Sequence, residues 1–150
     1  MIAFRFRLER VLEWRRKELE LEEARFQQRV AAVSLLDRER AELEARGIRA
    51  ELQVRNWTPL EGKDLAALAE FRLYTIRRER AIAIQRAEQQ KALDVQRERM
   101  LAARRRVRLL ERLRERRLAE WQDASERELA ELAAESHLAG IARRSADPRF

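Results

Sequence analysis

Cysteine is absent from the chain, which excludes a disulfide framework and any thiolate metal site. Glycine occurs three times and proline twice in 150 residues, so helices have little to interrupt them. No apolar run approaches the length of a membrane span, and the basic N-terminus lacks the apolar stretch of a secretory leader. The expectation is a soluble, cytoplasmic protein without membrane insertion. Histidine occurs once, as His137, with no companion at metal-ligand spacing. A glycine-rich phosphate loop and a nucleophile elbow are both missing. The sequence therefore reads as a non-enzyme, with no catalytic residue, cofactor or metal site to assign.

What the chain does contain is charge and helix formers. Charged residues make up 41% and hydrophobic ones 45%, with Ala, Glu, Leu, Arg and Gln dominant, a composition typical of long helices and coiled coils. Turn formers cluster once in the middle, over Arg55-Asn56-Trp57-Thr58-Pro59-Leu60-Glu61-Gly62. Thr58 to Glu61 spells a capping box with Pro59 at the first helical position, and Asp64 offers a second start if Gly62 interrupts that turn. The reading is a single domain over 1–150, with helices over about 5–55 and 63–139, a turn over 56–62 and a frayed tail over 140–150. At 1.5 Å per residue the helices would be about 75 and 115 Å long.

Apolar residues recur with a seven-residue period. In the first helix the seam includes Leu8, Leu12, Leu19, Phe26, Val33, Leu36 and Leu43, with Arg15, Glu22, Arg29 and Arg40 between them. In the second it includes Leu65, Leu68, Ile82, Leu93, Met100, Ala103, Val107, Leu110, Trp121 and Ala124. Such a repeat specifies a left-handed coiled coil. Folding the chain at Pro59 pairs residues whose numbers sum to about 118: Leu8 with Leu110, Leu12 with Val107, Leu19 with Met100, Phe26 with Leu93, and Leu36 with Ile82. Polar seam residues then pair as Glu22 with Gln96, Arg29 with Gln89 and Arg40 with Glu79. The expected fold is all-α, two long helices in one antiparallel left-handed coiled-coil hairpin. That register leaves 114–139 past the N-terminus without an intramolecular partner, although Leu118, Trp121, Leu129, Leu132 and Leu138 still give it apolar surface. Such surface calls for a partner.

Charge is distributed unevenly. Arg97 to Arg117 holds ten Arg and three acidic residues, a surplus equal to the +7 of the whole chain, and Leu118 to His137 holds six acidic residues against one Arg. A basic block beside an acidic one can steer a charged partner; a solvated helix face is the plainer reading. Arg105, Arg112 and Arg116 lie mostly off the seam and are candidate contacts, with Leu118 and Trp121 beside them. Nucleic-acid binding is a third and weaker class, since no basic-region or stacking-platform motif accompanies the Arg residues. Nearer the turn, "FRLYTIRRERAIAI" from Phe71 to Ile84 has more apolar residues than one seam buries, which suggests a docking patch.

The opening stretch "FRFRLERVLEWRRKE", Phe4 to Glu18, resembles the N-terminal signature of the FliJ family, coiled-coil proteins of the flagellar type III export apparatus. Leu109 to Leu132, "LLERLRERRLAEWQDASERELAEL", is similar to that family's C-terminal segment. Length and layout match over nearly the whole chain. Members often carry an Asp-Glu pair late in the second helix; here Ala130-Glu131 stands near that place. The resemblance implies a non-enzymatic stalk, similar to that of rotary ATPases, that inserts into a hexameric FliI-like export ATPase and promotes hydrolysis. It also implies contact with an FlhA-like export gate and with export chaperones, at the cytoplasmic side of the flagellar basal body on the inner membrane. The family's gate-binding positions map onto Tyr74, Arg78, Ala81, Ile82 and Gln85. The equivalent stalk of an injectisome or a rotary ATPase would need the same helices.

Overall fold

The structure is a computed structural model that describes residues 2–57 and 59–146. It is all-helical, with two helices packed against each other, α1 (Glu9–Arg55) and α2 (Gly62–Ser145). No helix is long and apolar enough among the described residues to cross a membrane.

α1 ends at Arg55, where two tighter bonds close its last turn, Asn56 N–H to Gln53 O at 3.1 Å and Trp57 N–H to Val54 O at 3.2 Å. α2 begins at Gly62, and Asp64 serves its start from the third helical position, not as a start of its own. The Asp64 carboxylate accepts a hydrogen bond from the Glu61 amide at 3.1 Å, and the Asp64 and Leu65 amides donate back to the Glu61 carbonyl. This is half of a capping box, with Glu61 as N-cap and the acid three residues on. Pro59 therefore precedes the helix instead of opening it, and the expected Thr58 cap lies outside the described residues. At the other end, α2 does not stop at 139. Gly140 is helical, and the helix runs on to Ser145 with Arg143 and Arg144 in its last turn, where cations favour the negative end of the dipole. One glycine costs about 1 kcal/mol in a helix, too little to break one flanked by Ala, Leu and Ile.

Packing divides into two compact units, Glu18–Ala103 and Met1–Lys17 with Arg104–Phe150. In the first, α1 and α2 run antiparallel. Arg72 bonds to Glu51 at 3.0 Å, Arg78 to Glu39, Arg86 to Asp37 at 2.6 Å, and the Gln96 amide to the Glu22 carbonyl at 3.2 Å and to its carboxylate. Partner numbers fall along α1 as they rise along α2. Glu22 meets Gln96, as the heptad spacing requires. The Asp37 hydrogen bond and its charge raise the Arg86 pKa above its ordinary value. The buried residues of this unit are Val33, Leu43, Ile82, Leu93, Met100 and Ala103, with Gln96 among them, while Leu19, Phe26 and Leu36 are half-buried.

Two polar seam pairs are not formed. Arg40 bonds to Glu44 within α1 at 3.4 Å, and the cross-helix pair is made one residue away, by Glu39 and Arg78. Arg29 is exposed, and the Gln89 side-chain oxygen is buried without a hydrogen-bond partner. A long Arg on the seam's edge bends outward to water at little cost.

In the second unit, Leu12 and Val107 are buried and Leu110 is half-buried. Arg16 bonds to Glu111 at 3.2 Å and Arg114 to Glu9 at 3.0 Å. Residues 2–6 have no regular secondary structure, and 7–8 form a turn, so α1 begins at Glu9 and not near residue 5. Phe4 and Phe6 are half-buried while Arg5 and Arg7 are exposed. That alternation is the period of two of an extended chain. Leu8, expected in the core, sits in the turn and is 37% exposed.

Candidate partner-binding surface

The N-terminal segment forms a strap over α2. The Trp121 indole donates a hydrogen bond to the Ile2 carbonyl at 3.1 Å, and the Phe4 and Trp121 rings lie 6.0 Å apart, tilted by 53°. The Arg114 guanidinium stands 5.9 Å from the centre of the Phe4 ring, within cation–π range. Arg114 and Trp121 therefore do have intramolecular partners, which corrects the expectation that everything past Leu113 is uncovered. Phe4 is the strap's anchor. Trp121 and Leu118 are half-buried in consequence. Beyond Glu128, α2 is exposed at every described position except Gly140, which is half-buried; Leu129, Leu132 and Leu138 are each more than half exposed.

Between strap and helix lies a groove of about 680 Å³, lined by Phe4, Arg5, Phe6, Arg7, Leu8, Leu113, Arg117 and Trp121. Its apolar floor and cationic rim suit an apolar group that carries negative charge. Arg117 is held by Glu120 at 3.0 Å.

Arg105, Arg112 and Arg116 are all exposed. Their spacings of seven and four place them on one helix face, and that face lies opposite the buried Ala103 and Val107. The result is a cationic ridge that takes no part in the packing of α1 on α2. Leu109, 66% exposed, sits on the same ridge.

The patch near the turn is split. Tyr74 is exposed and Gln85 is exposed, Ala81 is half-buried, and Phe71 is half-buried with its ring 6.4 Å from that of Tyr74. Arg78 is committed to Glu39. Ile82 has no exposed surface at all and belongs to the core. Tyr74, Arg78, Ala81, Ile82 and Gln85 thus do not make one contact surface, because Ile82 faces α1 while Tyr74 and Gln85 face water. The apolar excess in this stretch is carried instead by Leu73, Ile76 and Ile84, all exposed. Their spacing was the available signal: they fall on the side of the helix opposite Ile82.

No three His, Asp or Glu side chains gather as a metal ion would require among the described residues. Comparison with family models, with curated proteins and with solved structures gives no significant match.

Proposed function

We propose that this chain is a FliJ-like stalk that activates the ATPase of a type III export system of the flagellum. The observation that carries the reading is the exposed ridge of Arg105, Arg112 and Arg116, set on the face of α2 away from its packing. Charges in that position can engage a surrounding ring without disturbing the helical pair. They also bind loosely: exposed ion pairs are worth up to about 1 kcal/mol and are screened by salt. A stalk needs such contacts, because the ring's subunits must change state around it. The exposed Leu129, Leu132 and Leu138 beyond the strap supply the apolar part of the contact.

In this reading the seven-residue spacing of buried positions supports a left-handed supercoil between the helices. The chain works at the cytoplasmic face of the basal body, and the FlhA-like gate and export chaperones are its further partners. Tyr74 and Gln85 remain exposed for the gate; Ile82 does not. The test is a binding assay of the chain on a hexameric FliI-like ATPase across a salt series. Binding should weaken as salt rises, and the variant with Arg105, Arg112 and Arg116 changed to Glu should bind more slowly at low salt. Equal binding by that variant would remove the ridge from the contact, and salt-sensitive binding to DNA of any sequence in place of the ATPase would favour a nucleic-acid role.

A further inference from the structure

α2 carries a second apolar stripe. Leu65, Ala66, Ala69, Leu73, Ile76, Ala83, Ile84 and Ala87 recur at spacings that keep them on one side of a helix, with only Arg80 interrupting. All eight are exposed. The side of α2 that packs on α1 runs through Leu68, Thr75, Ile82 and Gln89, which are buried or half-buried, and on a helical projection the centres of the two stripes lie about 140° apart. A helix with one neighbour needs one apolar face. From residue 65 to 87, over about 33 Å of helix, this one has two.

Charge around the stripe is arranged differently from charge on the packed side. Arg72, Arg78 and Arg86 are each bonded to an acid of α1. Glu70, Arg77 and Arg80, which flank or interrupt the outer stripe, make no hydrogen bond or ion pair with any described residue. Both signs are present, so the surface is suited to a partner with the same pattern reversed.

We propose that a second copy of this chain docks on this face, α2 against α2, antiparallel about a two-fold axis near residues 74 and 75. In this register paired residue numbers sum to about 149. Leu65 meets the partner's Ile84, Ala66 meets the partner's Ala83, and Leu73 meets the partner's Ile76. Ala69 leaves room for the aliphatic stem of the partner's Arg80. Glu70 lies beside the partner's Arg77 and Arg80, and the symmetry makes each contact twice, as a two-fold interface requires. Antiparallel packing sets like flanks together, and a flank holding Glu70 and Arg77 is complementary to itself. In a parallel pair unlike flanks would meet, and Glu70 and Arg77 would lose each other as partners. The alanines at 66, 69, 83 and 87 allow the helix axes to approach closely. This inference does not rest on the stalk reading.

The experiment is sedimentation equilibrium on the full chain from micromolar to millimolar concentration, with four variants. The unaltered chain should show a reversible monomer–dimer equilibrium. Leu73→Glu together with Ile84→Glu should leave a helical monomer throughout. Glu70→Arg alone and Arg77→Glu alone should each weaken the dimer roughly tenfold, from two attractive contacts made repulsive, and the double reversal should restore it. Because the chain has no cysteine, separately made Ala66→Cys and Ala83→Cys chains can be oxidised alone or mixed. Mixing should give a cross-linked dimer of one chain of each kind, and neither alone should cross-link. A chain that stays monomeric at millimolar concentration, a dimer indifferent to the Leu73 and Ile84 changes, or cross-linking of Ala66→Cys with itself would each overturn the proposal.

Discussion

Gln89 occupies a seam position with its side-chain oxygen buried and unbonded. An unsatisfied buried acceptor costs about 1–3 kcal/mol, so Gln89→Leu should stabilise the chain by about 1 kcal/mol or more, read as a higher midpoint in urea unfolding. Gly47 is the second soft point. It is helical and half-buried, and a Cβ built there meets no atom within 4 Å. Gly47→Ala should add about 1 kcal/mol from helix propensity, and circular dichroism melting would detect it. Ile82 and Tyr74 separate the core from the surface most clearly. Ile82→Ala should cost about 2–5 kcal/mol, whereas Tyr74→Ala, at a side chain 55% exposed, should leave the midpoint nearly unchanged. Equal losses at the two positions would mean that the side of α2 facing α1 has been assigned wrongly.

At the scale of elements, α1, α2 and their separation were legible because apolar spacing and turn formers gave one consistent answer. The seven-residue period located Leu12, Val33, Ile82, Leu93, Met100 and Val107, and even the polar Glu22–Gln96 pair. Three features were not legible. Gly140 looked like a stop, yet nothing downstream of it competes with continued helix before Ser145. Arg29 and Arg40 looked like seam residues, but long cations reach water from the edge of a packed face. The strap was present in the sequence as Phe-Arg-Phe-Arg, whose alternation has the period of an extended chain, and it was absorbed into a helix because the heptads follow so closely. The strap carries its own prediction. With Trp14 and Trp57 replaced by Phe, Trp121 reports alone, and Phe4→Ala should shift its emission to longer wavelength while helicity stays within a few per cent. Loss of the aromatic pair removes about 0.5–1.5 kcal/mol, enough to loosen residues 2–6 without unfolding α2. An unshifted emission would show that the strap does not shield the indole.

For the whole molecule, the question is which surfaces are left over once packing is complete. The basic ridge was legible, since Arg105, Arg112 and Arg116 fall between seam positions by count alone. The exposed end of α2 was legible only in part, because the strap covers residues that spacing left bare. Past Ser125, every described position of α2 except Gly140 is exposed. A chain ended after Glu128 keeps Arg114, Trp121 and the strap; in the stalk reading it should still bind the ATPase through the ridge but stimulate it less, because Leu129, Leu132 and Leu138 are gone. The most direct measurement of the central claim is the rate of ATP hydrolysis by a hexameric export ATPase as this chain is added at low salt. The account predicts that the full chain raises the rate and that changing Arg105, Arg112 and Arg116 together to Glu removes most of the rise while leaving helicity intact. No rise with the full chain, or the same rise with the reversed ridge, would contradict it.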